Sequence, residues 1–191
     1  MQDLKEWWQS HYGSAIPVAH LLRQQVKGRW FRIHSLPESK RYLETPDEYS
    51  ILLSRHNSIA TEILGSHSEC LLLVGRYTEH VEQDVHWHKL PEIEEAKFVL
   101  LDIVQVPEVF EMPAVLSIFC TPVIWSSGRF DELITTVADD RDAYMMFASL
   151  ETGEAYAPYD GGADLFLSST VRRDELKQQF SPWLSKHPQG F

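Results

Sequence analysis

The most constraining stretch of this chain starts at Thr45. Thr45 is a good N-cap, Pro46 fits the first helical position, and Glu48 stands three residues after the cap, which together spell a capping box with proline at N1. Tyr49, Leu52, Leu53, His56, Ile59, Ala60, Ile63 and Leu64 follow at spacings of three and four. Such spacing places one stripe on one side of a helix, and Gly65 then supplies the residue type that tolerates a positive φ at a helix end. The sequence therefore specifies one amphipathic helix from Pro46 to Leu64 that must bury a face against something else.

Ahead of that helix, Trp30, Phe31 and Ile33 read as a short strand. Residues 35–44 have no periodicity and carry Pro37, Glu38, Ser39, Lys40 and Arg41. A polar connection of this length exceeds the usual 4–6 residues or so, and long loops held by rigid elements often carry function. Charge singles out the same region. Between Arg23 and Arg41 six Lys or Arg face one Glu, a net of +5 in a chain of −11, so the rest carries −16. Arg29, Arg32, Lys40 and Arg41 are therefore candidates for an anion site. The competing reading is that they neutralise the chain's own carboxylates.

The rest of the chain supplies strands. Cys70–Val74, Phe98–Val106 and Ala114–Trp125 are apolar runs suited to a sheet buried on both faces, with Pro122 expected to divide the third run or place it at an edge. Tyr144–Leu150 and Ala155–Tyr159 flank a hairpin turn at 151–154, and Asp164–Leu167 adds a strand after the Asp160-Gly161-Gly162 turn. Helices are expected at 3–12, 18–26, 128–138 and from Ser169 or Thr170 to about Phe180. Helices lead, strands gather in the middle and hairpins follow. This order predicts an α+β fold, with a mostly antiparallel sheet of about five to seven strands packed by helices. At 191 residues a single globular domain 1–191 is expected, with residues 1–27 a helical segment docked on it through Trp7 and Trp8.

Composition narrows the function classes. A net charge of −11 argues against general nucleic-acid binding, which needs a basic surface, and favours a basic protein partner. MQDLKEWWQS lacks the features of a signal peptide, and no apolar run approaches the roughly 20 residues of a membrane span. Cys70 and Cys120 sit in apolar runs as reduced core residues, and a cytoplasmic location is expected. No glycine-rich phosphate loop, G-x-S-x-G or other cofactor or nucleophile motif is present. His80, His86 and His88 are weak metal candidates, since His86 and His88 would share one side of a strand but no cysteine pair or H-E-x-x-H accompanies them.

FRIHSLPESKRY, leading into the RHN-containing helix, and YAPYDGGADLFL together resemble a family of bacterial domains of unknown function. The resemblance implies that these two segments meet in space. By analogy, small acidic α+β proteins of this kind include immunity proteins that neutralise toxins. Two functional expectations follow. The first is a non-enzymatic, immunity-like protein-binding module with an acidic surface. The second is a small-molecule or anion site where Arg32, His34, Lys40 and Arg41 meet Asp160 and Asp164.

Overall fold

The structure is a computed structural model and describes residues 4–78, 98–109, 112–142 and 144–184. Its centre is a seven-stranded antiparallel sheet of β1 (Trp30–His34), β2 (Ser68–Thr78), β3 (Val99–Val109), β4 (Met112–Trp125), β5 (Met145–Ser149), β6 (Ala155–Tyr159) and β7 (Gly162–Phe166), in the order β1-β7-β6-β5-β2-β4-β3. Five α-helices pack on it: α1 (Leu4–Tyr12), α2 (Ala19–Gln25), α3 (Pro46–Leu64), α4 (Asp131–Ala138) and α5 (Thr170–Gln179). The fold is α+β, with a sheet covered by helices, as the order of elements predicts.

The period of two along each strand sorts the core into two layers. Phe31, Ile33, Leu72, Phe147, Tyr156 and Leu165 face α3, α4 and α5. Leu71, Leu73, Ile118, Met146, Ala157 and Phe166 face α1 and α2. Cys70 belongs to the first layer and Cys120 to the second, so the two buried thiols lie on opposite faces of the sheet and cannot pair.

The capping box at Thr45 forms. The Thr45 side chain accepts from the Glu48 N–H, Glu48 Oε2 accepts from the Thr45 N–H, and Pro46 opens the helix. Gly65 ends α3 at φ +89°. The buried face holds the expected Leu52, His56, Ile59, Ala60, Ile63 and Leu64, leaves Tyr49 and Leu53 only half-buried, and adds one polar member. That member, Asn57, donates to Asp131 at 2.6 Å and accepts from the Gly128 N–H at 2.8 Å, pinning the start of α4 to α3. Trp125, fully buried, lies between the two helices and the sheet and stacks on Phe130 at 5.6 Å.

Two strands differ from the sequence expectation. Pro122 neither divides β4 nor puts it at an edge: β4 is continuous and lies between β2 and β3. The reason is local. Among the described residues the β3–β4 ladder begins at Val99–Cys120 and β4 beyond Cys120 is paired with β2 only, so a missing N–H on the other side costs no ladder bond there. β2 also continues past Val74 into residues read as loop, because β4 pairs with it as far as Thr78 and Arg76 finds Asp142 at 3.0 Å. His80, His86 and His88 lie outside the described residues.

β1 and β7 approach closely at Gly162, where a Cβ would fall 1.9 Å from the Ile33 carbonyl oxygen. Gly162→Ala is expected to push these strands apart and lower stability by about 2 kcal/mol. A lowered urea midpoint would register it, and an unchanged midpoint would mean that the strands yield freely.

Among the described residues no helix is long and apolar enough to cross a membrane.

Candidate functional site

The β1–β7 register places Arg32 directly opposite Asp164. Both point to the side of the sheet that carries α1 and α2, where Arg32 Nε donates to Asp164 Oδ1 at 2.8 Å and Nη2 donates to Oδ2 at 3.0 Å. Trp30, two residues earlier on the same side, donates its indole N–H to Oδ1 at 2.9 Å. The Arg32 guanidinium also lies 4.3 Å from the centre of the Tyr159 ring. Asp164 is therefore a strand residue holding a buried bidentate pair, rather than a cap of the Gly161-Gly162 turn. Asp160 does sit in that turn and accepts from Arg41 Nε at 2.6 Å. This contact joins the long loop after β1 to the β6–β7 turn.

These four residues line one cleft of about 280 Å³. Its other walls come from His20 at the start of α2, from Asp140, Asp142 and Tyr144 after α4, and from Pro158 and Tyr159 at the end of β6. Two arginines thus meet four aspartates. Asp142 is bonded to Arg76 at 3.0 Å, and Asp140 lies exposed. The His20 ring is 5.9 Å from the Tyr144 ring. Burial, with Arg23 adding to it, holds the His20 pKa below its ordinary value, which leaves the imidazole neutral at pH 7.

Two of the six residues proposed from sequence are placed elsewhere. Lys40 turns toward the start of α3, its Nζ 2.7 Å from Glu44 and 2.6 Å from Glu48. Both carboxylates lie within eight residues of it in the chain. His34 shares the side of β1 that carries Arg32 but does not line the cleft. Its Nε2 is buried and has no hydrogen-bond partner among the described residues. Arg29, the remaining candidate for an anion site, donates to the His11 carbonyl at 3.3 Å and lies 5.4 Å from the Tyr12 ring centre.

His20, Asp140, Asp142, Tyr144 and Tyr159 line the cleft and were not singled out by sequence. Asp140 and Asp142 sat in a DDRD stretch that reads only as a turn. Tyr144 gave no signal at all, although its φ of +60° is unusual for a bulky side chain.

A second polar constellation lies in the core. Ser35 Oγ is 2.8 Å from His56 Nε2, and His56 Nδ1 is 2.6 Å from the Tyr156 hydroxyl. All three residues have no exposed surface. A neutral imidazole has one donor and one acceptor nitrogen, so one hydroxyl donates to the ring and the other accepts from it. This chain ties the end of β1 to α3 and β6. A serine beside a histidine resembles a nucleophile–base pair, but no substrate reaches a sealed one.

The fold and cleft define an α+β protein with a helix-covered antiparallel sheet and a charged, mostly self-paired cleft beside the β6–β7 turn. The chain belongs to the family described as Domain of unknown function (DUF3885), whose model matches residues 18–188. No curated protein and no solved structure matches it.

Proposed function

We propose that the protein is a non-enzymatic, immunity-like binding module that engages a basic protein partner through its acidic surface. The observation that carries this reading is the fate of the basic stretch. Arg32, Lys40 and Arg41 are each bonded to carboxylates of the same chain, so the positive island offers little to an anion. The chain as a whole keeps a net charge of −11, which attracts a cationic partner. The groups best suited to nucleophilic chemistry are also withdrawn from solvent. Ser35 and His56 are sealed in the core, and burial pushes the Cys70 and Cys120 thiols up to about 12 and about 11. On this reading the chain acts as a single domain in the bacterial cytoplasm, where both cysteines stay reduced.

The second reading is a small-molecule site in the cleft. It is favoured by the convergence of Arg32, Arg41, Asp160 and Asp164 on one concavity. Its anion-binding form is weakened by the same ion pairs.

The test is titration of the protein with a short arginine-rich peptide at about 50 mM and about 300 mM salt, conditions that bracket a Debye length of roughly 10 Å. Binding at the lower salt that weakens about tenfold or more at the higher supports the proposal. Absence of binding at both salts overturns it.

A further inference from the structure

We infer that the cleft between α2, the turn after α4 and the β6–β7 turn receives a planar guanidinium group, presented by an arginine side chain of the partner. This rests on the basic-partner reading and names the place and chemistry of contact. Size comes first. At about 280 Å³ the cleft lies at the lower end of ligand sites, which span roughly 300–1,000 Å³, and it suits one side chain better than a nucleotide or cofactor.

Charge then sets the sign of the guest. Both Arg41 contacts fall on Oδ2 of Asp160, and Oδ1 takes no hydrogen bond among the described residues. Asp140, after α4, also lines the cleft and lies exposed. The β6–β7 turn and the turn after α4 thus each bring an available carboxylate to the cleft, and the neutral His20 that also lines it does not repel a cation. Arg32, Arg41 and Arg76 are matched one for one by Asp164, Asp160 and Asp142, so Asp140 leaves the cleft with an excess negative charge that opposes an incoming anion.

Shape selects guanidinium over ammonium. Tyr144 keeps 40 % of its surface exposed at the cleft, with the His20 ring tilted 60° to it. An aromatic face beside carboxylates suits a flat, delocalised cation with forked donors. The same chemistry is already used once in this cleft, where Arg32 is bidentate to Asp164 and lies over Tyr159. Tyr144 is held in place at a backbone cost. Its φ is +60°, its carbonyl accepts from the Gly75 N–H at 2.9 Å, and a Cβ on Gly75 would come within 3.0 Å of its own Cβ. Asp140 shares the positive φ, at +55°. Bulky residues adopt such backbone only where the surroundings impose it.

The experiment is a set of amide NMR titrations of the full chain with arginine amide, lysine amide and an arginine-rich peptide, repeated on Asp140→Asn and Tyr144→Asn. Asparagine tolerates positive φ at both positions, so each variant keeps its turn. Arginine amide is expected to shift the Tyr144 and Asp160 resonances saturably, to bind about threefold more tightly than lysine amide, and to weaken about fivefold in either variant. If arginine amide moves neither resonance, the inference is overturned. If the peptide binds wild type and both variants equally, the basic-partner reading stands and the cleft assignment falls. If arginine amide binds in the cleft but the peptide does not bind at low salt, the cleft stands as a site for a small guanidinium compound and the protein-partner reading falls.

Discussion

Arg32→Met is expected to lower the free energy of unfolding by roughly 3 kcal/mol, the usual cost of removing one partner of a buried ion pair. Asp164 is 3 % exposed and the Arg32 side chain 14 %, so water cannot replace the lost guanidinium. Among the described residues the carboxylate would keep only the Trp30 N–H. Replacing both partners, as in Arg32→Met with Asp164→Leu, removes the stranded charge. The double variant is expected to recover to within about 2 kcal/mol of wild type, the remainder reflecting the Trp30 indole left without its acceptor. Urea unfolding of the three proteins gives the comparison directly. A single variant that loses less than about 1 kcal/mol would mean that the pair behaves as an exposed one.

Stability is expected to fall as the solution is acidified below pH 6.5, and His56 to cause much of the early part of that fall. Burial, with Arg55 adding to it, depresses the folded-state pKa of His56 to about 3, against an ordinary value of 6.5. Between those values the unfolded chain binds a proton that the folded chain refuses. Folding stability is therefore complete above pH 6.5 and declines as pH drops, with a limiting slope of about 1.4 kcal/mol per pH unit. Going from pH 6.5 to 4.5, wild type should lose about 2 kcal/mol more than His56→Gln. Burial also lowers the pKa of His20 and His34, but both are present in the two proteins and cancel in the difference. Glu48, held below its ordinary value by Lys40, gives up its contribution only at lower pH. Parallel pH profiles for wild type and variant would show that the buried imidazole accepts its proton in the folded state.

Local chemistry was the part of this protein that could be read directly. The Thr45–Glu48 box, the stripe along α3, the hairpin at 151–154 and the Ser169 cap are set by neighbours within one or two turns. Each appears in the structure close to its expected place. The continuity of β4 could not be read, because whether Pro122 disrupts a strand depends on how far β3 extends beside it. The site was half legible for a similar reason. A cluster of cations is visible in sequence, but its partners are not: Lys40 was taken by Glu44 and Glu48 nearby, whereas Arg32 and Arg41 found Asp164 on the neighbouring strand and Asp160 in the β6–β7 turn, more than a hundred residues on. His56 fitted the apolar stripe by spacing alone. Its two hydroxyl partners come from β6 and from the end of β1, which periodicity along α3 cannot reveal.

The placement of β1 beside β7 has a consequence for how the chain is made. Arg32 and Asp164 are 132 residues apart in sequence. On the ribosome, the strand Trp30–His34 emerges long before the edge it will join has been synthesised. Closing so long a stretch of chain is entropically costly and slow, so this pairing belongs to the last steps of folding. Until then Arg32 and Arg41 lack Asp164 and Asp160, while Lys40 already has Glu44 and Glu48 beside it. The cleft that Arg32 and Asp164 line is complete only when β1 takes its place beside β7 at that edge of the sheet.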